Sequence, residues 1–422
     1  MQAGLNAVVI ADDLTGAADT GVQLAPVRSP LYLMPVETMA LGRPWMASAG
    51  GLSLYTASRR LSAGAAAERL RPVAQMLVDL RPRWVYKKVD SCLRGNPGAE
   101  TDVLLDAFGL DAALVAPALP AQGRATVGGI HLVQGKPLAE TEFAEDPLTP
   151  VTRSAVRDIL ASQSRYPVGR IDMKEYGDSR RLQQALQREL RRGCRLIACD
   201  AAEQGHLDQI ARLVAQGAGR LLPVGSAGLA AALVRQLSTT AMVQPWPALG
   251  LKRILLACGT GSQATRGQLD ALLEKYGGVR RELEPEWLVE ASAEERRRCA
   301  TDLLDAWTGG VLALAIGPFP REGPVVTPER AIAGLAGLAG LASEVIRNDG
   351  VDGLFLSGGE TADAVLRACG GEAIRLEREV LPGLVLGRWL GGVADGLAVV
   401  TKAGAFGQEQ TLVALYERMS RR

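Results

Sequence analysis

Two adjacent carboxylates stand early in the sequence, at a position where they could do chemistry. Asp12 and Asp13 directly follow the apolar run Val8–Ala11 and precede a helix-like segment that opens at Thr15. A carboxylate at the carboxyl end of a strand can accept a proton from a hydroxyl group or help to bind magnesium. Asp13 could instead cap the helix, but two carboxylates are more than a cap requires. Asp12 is therefore the stronger functional candidate.

A second polar cluster, Lys87–Arg94, concentrates lysine, arginine, aspartate and serine in eight residues. Such groups are costly to bury without a ligand or mutual pairing. A small polyhydroxy acid would satisfy them, because cations bind its carboxylate while Asp90 and Ser91 bind its hydroxyls. The alternative is a solvated turn with an internal ion pair. Arg59, in a polar turn after another strand-like run, is a further candidate anchor for a carboxylate.

Three glycine-containing turns follow in the second half of the chain, within Leu255–Thr265, Leu354–Asp363 and Val399–Gly407. Glycine lets backbone N–H groups approach a phosphate closely, and the amino end of a helix favours anions. Three such turns together favour a phosphate or nucleotide site. Lys402 could offer a cation to a phosphate, or it could simply end a strand. Neither a Walker A sequence nor the HRD and DFG signatures of protein kinases are present.

The first of these turns also fits a different chemistry. Gly259-x-Gly261-x-x-Ala264 matches a dinucleotide-binding fingerprint, and the acidic residues Glu282 and Glu284 follow about twenty residues later. An NAD-dependent dehydrogenase of a small hydroxy acid is therefore an alternative. A sugar-acid sensor without catalytic activity is a third interpretation, but it leaves the glycine turns without a purpose.

Composition excludes several other classes of function. The 47 basic and 46 acidic residues produce no global field that would attract nucleic acid or a membrane. Only two histidines occur and none of the six cysteines forms a CxxC pair, which argues against a His-based zinc site or a Ser-His-Asp triad. The apolar run Ala331–Ala342 is too short to span a membrane and predicts a buried helix. With no signal peptide evident, a cytoplasmic protein is expected, and a homodimer is a common state for such proteins.

The alternation of short apolar runs with longer helical patterns predicts an α/β fold with mainly parallel sheets flanked by helices. A proline-containing break near 238–251 predicts two domains, 1–240 and 250–422. A ligand site is expected in a cleft between them, and the loop-rich segment Pro120–Pro150 could cover it. The predicted strands are Ala7–Ala11, Leu31–Met34, Leu52–Thr56, Trp84–Lys87, Ala113–Ala116, Leu196–Cys199, Leu221–Val224, Ile254–Cys258, Val311–Ile316, Gly353–Leu356 and Leu397–Thr401.

Taken together, six segments resemble the four-carbon acid-sugar kinase family. In chain order they read ADDLTGAADTG, KKVDSCLRGNPGAE, PVGSAGLA, GTGSQATRGQ, SGGETADAV and TKAGAFG, and they extend from Ala11 to Gly407. The ordered set is specific, although no single segment is. The resemblance implies an amino-terminal domain that binds the sugar acid and a carboxyl-terminal domain that binds ATP.

The resemblance also assigns site residues, position by position. It implies that the sugar acid is bound by Asp12, Arg59, Lys88, Val89, Asp90 and Ser91, with help from Arg94. It implies that the nucleotide is bound by Ser262, Gly358, Gly359, Glu360, Thr361 and Gly404. Three positions depart from the commoner pattern, which has threonine at Cys92, aspartate at Glu360 and serine at Ala403. Cys92 borders the substrate site, so its change bears on which acid is bound.

The resemblance, together with the polar clusters and the glycine turns, implies a kinase that transfers a phosphoryl group from ATP, with Mg²⁺, to the terminal C4 hydroxyl of a four-carbon sugar acid. Arg59, Lys88 and Arg94 would fix the substrate carboxylate, and Asp12 or Asp90 would accept the hydroxyl proton. D-Threonate, D-erythronate and 3-oxotetronate are the candidate acids, and the resemblance favours D-threonate. The magnesium ligands stay open, and neither nucleic acid nor a membrane is expected as a partner.

Overall fold

The structure of the protein is a computed structural model, and it describes most of the chain. The described residues are 5–25, 30–39, 43–146, 149–217, 219–237, 249–259, 263–317, 327–348, 350–404 and 406–421. The chain divides into two compact units, Met1–Met242 and Val243–Arg422. Each unit has its own hydrophobic core of buried aliphatic side chains.

The first unit alternates strands with helices, as the sequence predicts. Its strands are β1 (Ala7–Ala11), β2 (Leu31–Pro35), β3 (Gly51–Tyr55), β4 (Trp84–Lys88), β5 (Ala112–Ala116), β6 (Arg124–Val127), β7 (Ile130–Val133), β8 (Lys136–Pro137), β9 (Val168–Ile171), β10 (Leu196–Cys199) and β11 (Leu221–Gly225). Its helices are α1 (Leu14–Leu24), α2 (Ala63–Leu80), α3 (Pro97–Ala107), α4 (Val156–Ala161), α5 (Ser179–Arg191), α6 (Gln204–Gln216) and α7 (Ala227–Leu237).

The main sheet of the first unit is parallel, in the order β2-β3-β1-β4-β11-β5-β10-β9. Its strands β1, β3 and β5 are buried along their whole length, which explains why they read as continuous apolar runs in the sequence. Parallel strands end at the same edge of a sheet, so the loops after β1, β3 and β4 lie side by side. Those loops carry the polar residues that the sequence singles out.

The segment expected to be loop-rich, Pro120–Pro150, contains three short strands. Strands β6, β7 and β8 form a separate antiparallel sheet, in which Arg124 pairs with Val133 and Val127 with Ile130. Its strands are only two to four residues long, so they leave a weak pattern in the sequence. This small sheet lies against the loop after β4, as described below.

The second unit repeats the α/β pattern with one addition. Its strands are β12 (Arg253–Cys258), β13 (Val279–Leu283), β14 (Gly310–Ile316), β15 (Gly353–Ser357), β16 (Ala373–Leu381), β17 (Leu384–Leu390) and β18 (Ala398–Lys402). Its helices are α8 (Gln263–Tyr276), α9 (Pro285–Glu290), α10 (Ala293–Ala306), α11 (Pro328–Arg347), α12 (Gly359–Ala368) and α13 (Thr411–Ser420). The strand order is β13-β14-β12-β15-β18-β17-β16.

The strands β13, β14, β12, β15 and β18 are parallel to one another. Strand β17 runs antiparallel to both β18 and β16. The sequence prediction misses the β16–β17 hairpin, because β16 carries charged and half-exposed residues instead of an apolar run. The helix predicted at Ala331–Ala342 is confirmed within α11, but it is buried mainly in its second half, because Ile332 is 54% exposed whereas Leu338, Ala339, Leu341 and Ala342 are buried. Gly337 lets that helix pack tightly, since a Cβ there would lie only 1.9 Å from the carbonyl oxygen of Leu288. In the described part of the chain, no helix has the length and apolar character that a membrane span needs.

Candidate active site

Asp12 and Arg59 form the centre of the polar cluster in the first unit. Asp12 follows β1 and Arg59 follows β3, and the two strands are adjacent. The guanidinium of Arg59 donates to both carboxylate oxygens of Asp12, at 2.7 and 2.9 Å. Burial alone would raise the pKa of Asp12, but the charge and hydrogen bonds of Arg59 outweigh it, so the pKa lies below its ordinary value. Asp12 is therefore ionised at neutral pH although it is only 3% exposed.

Asp13 has the capping role that the sequence offered for it, and it also contacts Arg59. Its Oδ1 accepts a hydrogen bond from the backbone N–H of Gly16, so it is the N-cap of α1. The same oxygen lies 2.9 Å from Nη2 of Arg59. Asp13 thus fixes the start of α1 and also helps to hold Arg59 in the cluster.

Asp90 and Arg94 form a second ion pair beside the first. Arg94 donates to both oxygens of Asp90, at 2.9 and 3.1 Å, and also to Asp146. Burial would raise the pKa of Asp90, but the charges of Arg94 and Arg59 hold it well below its usual range. Arg59 Nη2 lies 4.0 Å from Asp90 Oδ1. The structure therefore brings together four of the predicted residues: Asp12, Arg59, Asp90 and Arg94.

Lys88 differs from the two arginines because the N–H groups of its ammonium have no acceptor among the described residues. Its residue is 4% exposed, and its Nζ lies 4.0 Å from Asp19 Oδ1, beyond hydrogen-bond distance. Among the residues that the structure describes, none accepts a hydrogen bond from this ammonium group. A Cβ built on Gly16 would lie 2.7 Å from Lys88 Nζ, so the group sits against the first turn of α1. An ammonium group in this position can bind an anion or a hydroxyl oxygen.

Val89 and Ser91 fix the loop after β4 through hydrogen bonds of their backbone groups. The N–H of Val89 donates to the carbonyl of Gly225, at the end of the neighbouring strand β11. The carbonyl of Ser91 bonds His131 Nε2 at 2.7 Å, and His131 is fully buried on β7. Burial lowers the pKa of His131 to about 4, so its imidazole is neutral. The small β6–β8 sheet therefore packs against the loop after β4 through His131, a contact that the sequence did not reveal.

A buried ion pair, Lys87–Glu100, lies in the same unit. Lys87 Nζ is 2.9 Å from Glu100 Oε2, and both side chains are almost fully buried. Glu100 Oε1 also accepts from the hydroxyls of Ser58 and Thr56, at 2.5 and 3.3 Å. Because neighbouring residues of a strand point to opposite faces, Lys87 reaches this pair while Lys88 faces the other way. Neither Glu100 nor Ser58 is recognisable from the sequence as part of such a pair.

A cavity of about 370 Å³ adjoins the polar cluster. Its lining includes Arg59, Gly95 and Asn96. Gly95 has a φ of +86°, and a Cβ there would lie 3.0 Å from Asp12 Oδ2. The glycine therefore leaves space above the Asp12 carboxylate, which any larger residue would fill.

In the second unit, two of the three glycine turns meet at neighbouring strands. Gly358 follows β15 with a φ of +100°, and its N–H donates to the carbonyl of Lys402 at the end of β18. Gly359, Glu360 and Thr361 then form the first turn of α12. The free backbone N–H groups of such a turn favour an anionic ligand.

The third turn is joined to these two by side chains. The N–H of Gly259 donates to Thr361 Oγ1 at 3.2 Å, and Thr265 Oγ1 donates to the carbonyl of Gly404 at 2.7 Å. A Cβ at Gly259 would collide with Leu335 and Thr361. The described parts of the three turns thus form one connected backbone surface. Ser262, the remaining predicted nucleotide contact, lies outside the described residues.

Comparison with known proteins agrees with the division of the chain into two units. A model described as the sugar-binding N-terminal domain matches residues 7–233, and one described as the nucleotide-binding C-terminal domain matches residues 255–412. The chain is 34% identical to a D-threonate kinase of Salmonella typhimurium, with 97% of each chain covered. It is 33% identical to a D-erythronate kinase of Heliobacterium modesticaldum, with 95% of this chain and 94% of that one covered.

The chain belongs to the four-carbon acid-sugar kinase family. It is accordingly a sugar-acid kinase, as the resemblance of the six sequence segments predicts. The solved structure of another Salmonella typhimurium LT2 protein has a TM-score of 0.79 to this chain at 22% identity, covering 98% of both chains. That similarity confirms the α/β fold.

Membership of this kinase family argues against the alternative of an NAD-dependent dehydrogenase. The strand order of the second unit also differs from that of a dinucleotide-binding fold. In a dinucleotide-binding fold the second strand lies next to the first, so that its acidic residue reaches the ribose. Here β14 lies between β12 and β13, which carries Glu282. Glu282 pairs instead with Arg280 of its own strand, and Glu284 is the residue that precedes α9.

Cys92, which departs from the commoner family pattern, is buried in this kinase. Arg124 Nε donates to its Sγ at 3.3 Å, and burial raises the pKa of the thiol to about 11. The residue is therefore a neutral thiol next to Asp90. It shapes the loop that carries the predicted substrate contacts.

Proposed function

We propose that this kinase transfers the terminal phosphoryl group of ATP to the C4 hydroxyl of a four-carbon sugar acid, with D-threonate as the first candidate. The observation that carries the proposal is the buried cluster of Asp12, Arg59, Asp90 and Arg94 beside a cavity of about 370 Å³. Its paired charges suit a small acid that carries several hydroxyl groups. The relatives that act on D-threonate and D-erythronate support the same class of substrate.

Lys88 is assigned to the substrate because it has unused donors. Arg59 and Arg94 each donate two hydrogen bonds to an aspartate carboxylate. Fewer of their N–H groups are therefore free to bind the carboxylate of a substrate. The ammonium of Lys88 has three donors and no acceptor within hydrogen-bond distance among the described residues. It therefore anchors an oxygen anion of the substrate, while Arg59, Arg94, Ser91 and the Val89 backbone shape the surrounding surface.

Asp12 is assigned as the group that orients the hydroxyl and accepts its proton. Asp90 accepts hydrogen bonds from both Arg94 and the backbone N–H of Cys92, and its pKa is held well below the usual range. Among the described residues, Arg59 is the donor to the Asp12 carboxylate, which also faces the space left by Gly95. Phosphoryl transfer makes little demand on a strong base, because its transition state is loose and the nucleophile loses its proton late.

The second unit is assigned to the nucleotide, on the glycine turns that contain Gly358, Gly359 and Gly404, with Glu360, Thr361 and Ser262. The backbone N–H groups in the first turn of α12, which follow Gly358, favour a phosphate chain at this end of the helix. ATP supplies the phosphoryl group. Mg²⁺ commonly binds phosphate oxygens, water and one or two carboxylates. The described residues hold no group of three His, Cys, Asp or Glu side chains arranged for a metal, so no protein ligand is assigned.

The proposal is tested by measuring ADP release from ATP and Mg²⁺ with a panel of acids. The panel contains both enantiomers of threonate and erythronate, 3-oxotetronates and a sample without acid. These acids differ at one carbon, and a site that hydrogen-bonds one hydroxyl rejects the wrong isomer strongly. We expect release that depends on one acid, with D-threonate the most active. No acid-dependent release across the panel would contradict the proposal.

The role of Asp12 has its own test. Asp12→Asn removes the charge and the proton acceptor, so we expect kcat to fall by about 10²–10⁴-fold. Asp111→Asn is the matched control, because Asp111 forms an exposed ion pair with Arg220 in the same unit. Near-normal turnover of the Asp12→Asn variant would show that this carboxylate is not the acceptor.

A further inference from the structure

Lys402, at the end of β18, is a buried cation without a buried anion. Its side chain is fully buried, and its Nζ donates to the carbonyls of Gly404 at 2.9 Å, Phe406 at 3.0 Å and Ala403 at 3.3 Å. Thr265 Oγ1 lies 3.4 Å away. All four partners are neutral, and no carboxylate among the described residues forms an ion pair with it. Buried charges are normally paired, so this arrangement requires an explanation.

The position of Lys402 connects it to every glycine turn of the second unit. Its backbone carbonyl accepts from the N–H of Gly358, and its ammonium holds the turn at Gly404. Through Thr265 it reaches the first turn of α8. The lysine therefore lies at the junction of the turns that the preceding section assigns to the nucleotide.

We propose that Lys402 is a positioning residue whose charge is completed by the nucleotide phosphates, so that nucleotide binding takes up a proton at mildly alkaline pH. This inference rests on the proposed nucleotide site. Without the nucleotide, the ammonium is solvated only by carbonyl and hydroxyl dipoles. When a polyanion occupies the turns, its negative charge stabilises the protonated lysine and holds the three turns together.

The surroundings of Lys402 support this coupling. Burial lowers the pKa of Lys402 to about 8, and Cys258 of β12 is the one residue whose charge would oppose that shift. Burial raises the pKa of the Cys258 thiol to about 12, so it is neutral in this range, and Arg280 of β13 acts on that thiol. Uncharged residues surround it on the paired strands and on α8: Ser357 on β15 and Leu384 on β17 pair with Lys402, and α8 contributes Thr265 and Gln268. The charged residues of α12, which also contacts β18, are Glu360, Asp363 and Arg367, and the last two form an ion pair with each other.

The experiment is titration calorimetry of the whole enzyme with ADP and with ATP–Mg²⁺, in pairs of buffers that differ in ionisation enthalpy. With a pKa near 8, about half of the lysine is neutral at pH 8 but only about a tenth at pH 7. We therefore expect uptake of up to about half a proton per nucleotide at pH 8 and little at pH 7. Nucleotide binding by the natural enzyme without uptake at pH 8 would refute the inference while leaving the proposed function intact.

Two variants separate this role from a merely structural one. Lys402→Met should bind nucleotide about 10–100-fold more weakly and show no proton uptake. Lys402→Arg keeps a permanent charge, so it should restore much of the affinity without uptake. Lys275→Met on α8 removes an exposed lysine and should change neither quantity. Equal proton uptake by Lys402→Met and the natural enzyme would assign the proton to another group. No nucleotide binding by the natural enzyme would overturn both this inference and the proposed function.

Discussion

The two units each bury a lysine at the end of a parallel strand, next to a turn with a proposed function. In the first unit Lys87 pairs with Glu100 at 2.9 Å, and the hydroxyls of Ser58 and Thr56 complete the site. In the second unit Lys402 has only carbonyl and hydroxyl oxygens around it in the described structure. Lys87 is therefore neutralised within the first unit, although its neighbour Lys88 keeps donors for the proposed substrate, whereas Lys402 has no carboxylate partner among the described residues.

This difference matches the ligands that the two units are proposed to bind. A sugar acid carries one negative charge, and a cluster whose aspartates and arginines already neutralise one another can bind it with small adjustments. A nucleoside triphosphate carries several charges, so a site with an uncompensated cation gains more when the ligand binds. We therefore expect the Lys87–Glu100 pair to affect mainly the stability of the first unit, and Lys402 to affect mainly the affinity for nucleotide.

The largest effect is expected when the internal pair is broken. Glu100→Gln leaves Lys87 without its carboxylate in a fully buried position. We expect the first unit to lose about 3–5 kcal/mol of unfolding free energy, because an uncompensated buried charge remains. Denaturant titration would measure the loss of unfolding free energy. Hydrogen exchange, followed in peptides from each unit, would show in which unit the loss occurs. The double variant Lys87→Met with Glu100→Gln should recover part of it, and no recovery would show that the charge is not the cause.

Removing the unpaired lysine should have the opposite sign. Lys402→Met removes a charge that burial penalises, while Gly404 and Phe406 keep other hydrogen-bond donors in Thr265 and Gln268. We expect the nucleotide-free second unit to gain about 1–3 kcal/mol at pH 7. The exposed Lys275→Met is the control for changes in net charge. A large loss of stability in Lys402→Met alone would show that Lys402 is needed for the fold.

The smallest effect is a difference in pH dependence. The unfolded chain binds the proton of Lys402 up to the ordinary pKa of 10.5, whereas the folded chain releases it near 8. The unfolded state thus binds more protons in this window, and stability from this group rises with pH, by about 1 kcal/mol between pH 8 and 9. The free energy of unfolding of the natural enzyme minus that of Lys402→Met isolates the effect. A difference that stays flat across this window would contradict the lowered pKa.

At the acid end, the first unit supplies the contrast. The pKa values of Asp12 and Asp90 lie below the ordinary 3.8, so their contribution to stability is present above that value. It is lost as the pH falls through their lower folded-state pKa values. The free energy of unfolding, measured below pH 4, should therefore fall as the pH falls, with hydrogen exchange rising in peptides of the first unit. The Asp12→Asn variant should show a smaller fall, because one of the two carboxylates is absent.

The sequence predicted the buried parallel strands well, and the reason is physical. Strands such as Ala7–Ala11 and Leu196–Cys199 are covered on both faces, so they appear as unbroken apolar runs between polar turns. The strands β13 and β16 escaped prediction because they are partly exposed. Val279–Leu283 carries two arginines and a glutamate, and Ala373–Leu381 carries four charged residues. Their strand conformation depends on the neighbours that pair with them.

Within the site, the sequence by itself determined which residue types stand at the ends of the strands. It placed Asp12, Arg59 and Lys88–Arg94 in turns after predicted strands, and the pairing of β1 with β3 and β4 then brings those turns together. It also located the glycine turns, because glycine is required where the backbone adopts a positive φ, as at Gly358.

Only the tertiary structure decided how the charges are paired. The sequence shows Lys87 next to Lys88 and Lys402 next to a glycine turn, but it does not show which lysine has a carboxylate within reach. Glu100 meets Lys87 because α3 packs so that its first turn lies beside β4, and no such residue meets Lys402 in the described structure. Coulomb energy depends on distance and burial, and these are fixed by packing between segments far apart in the chain.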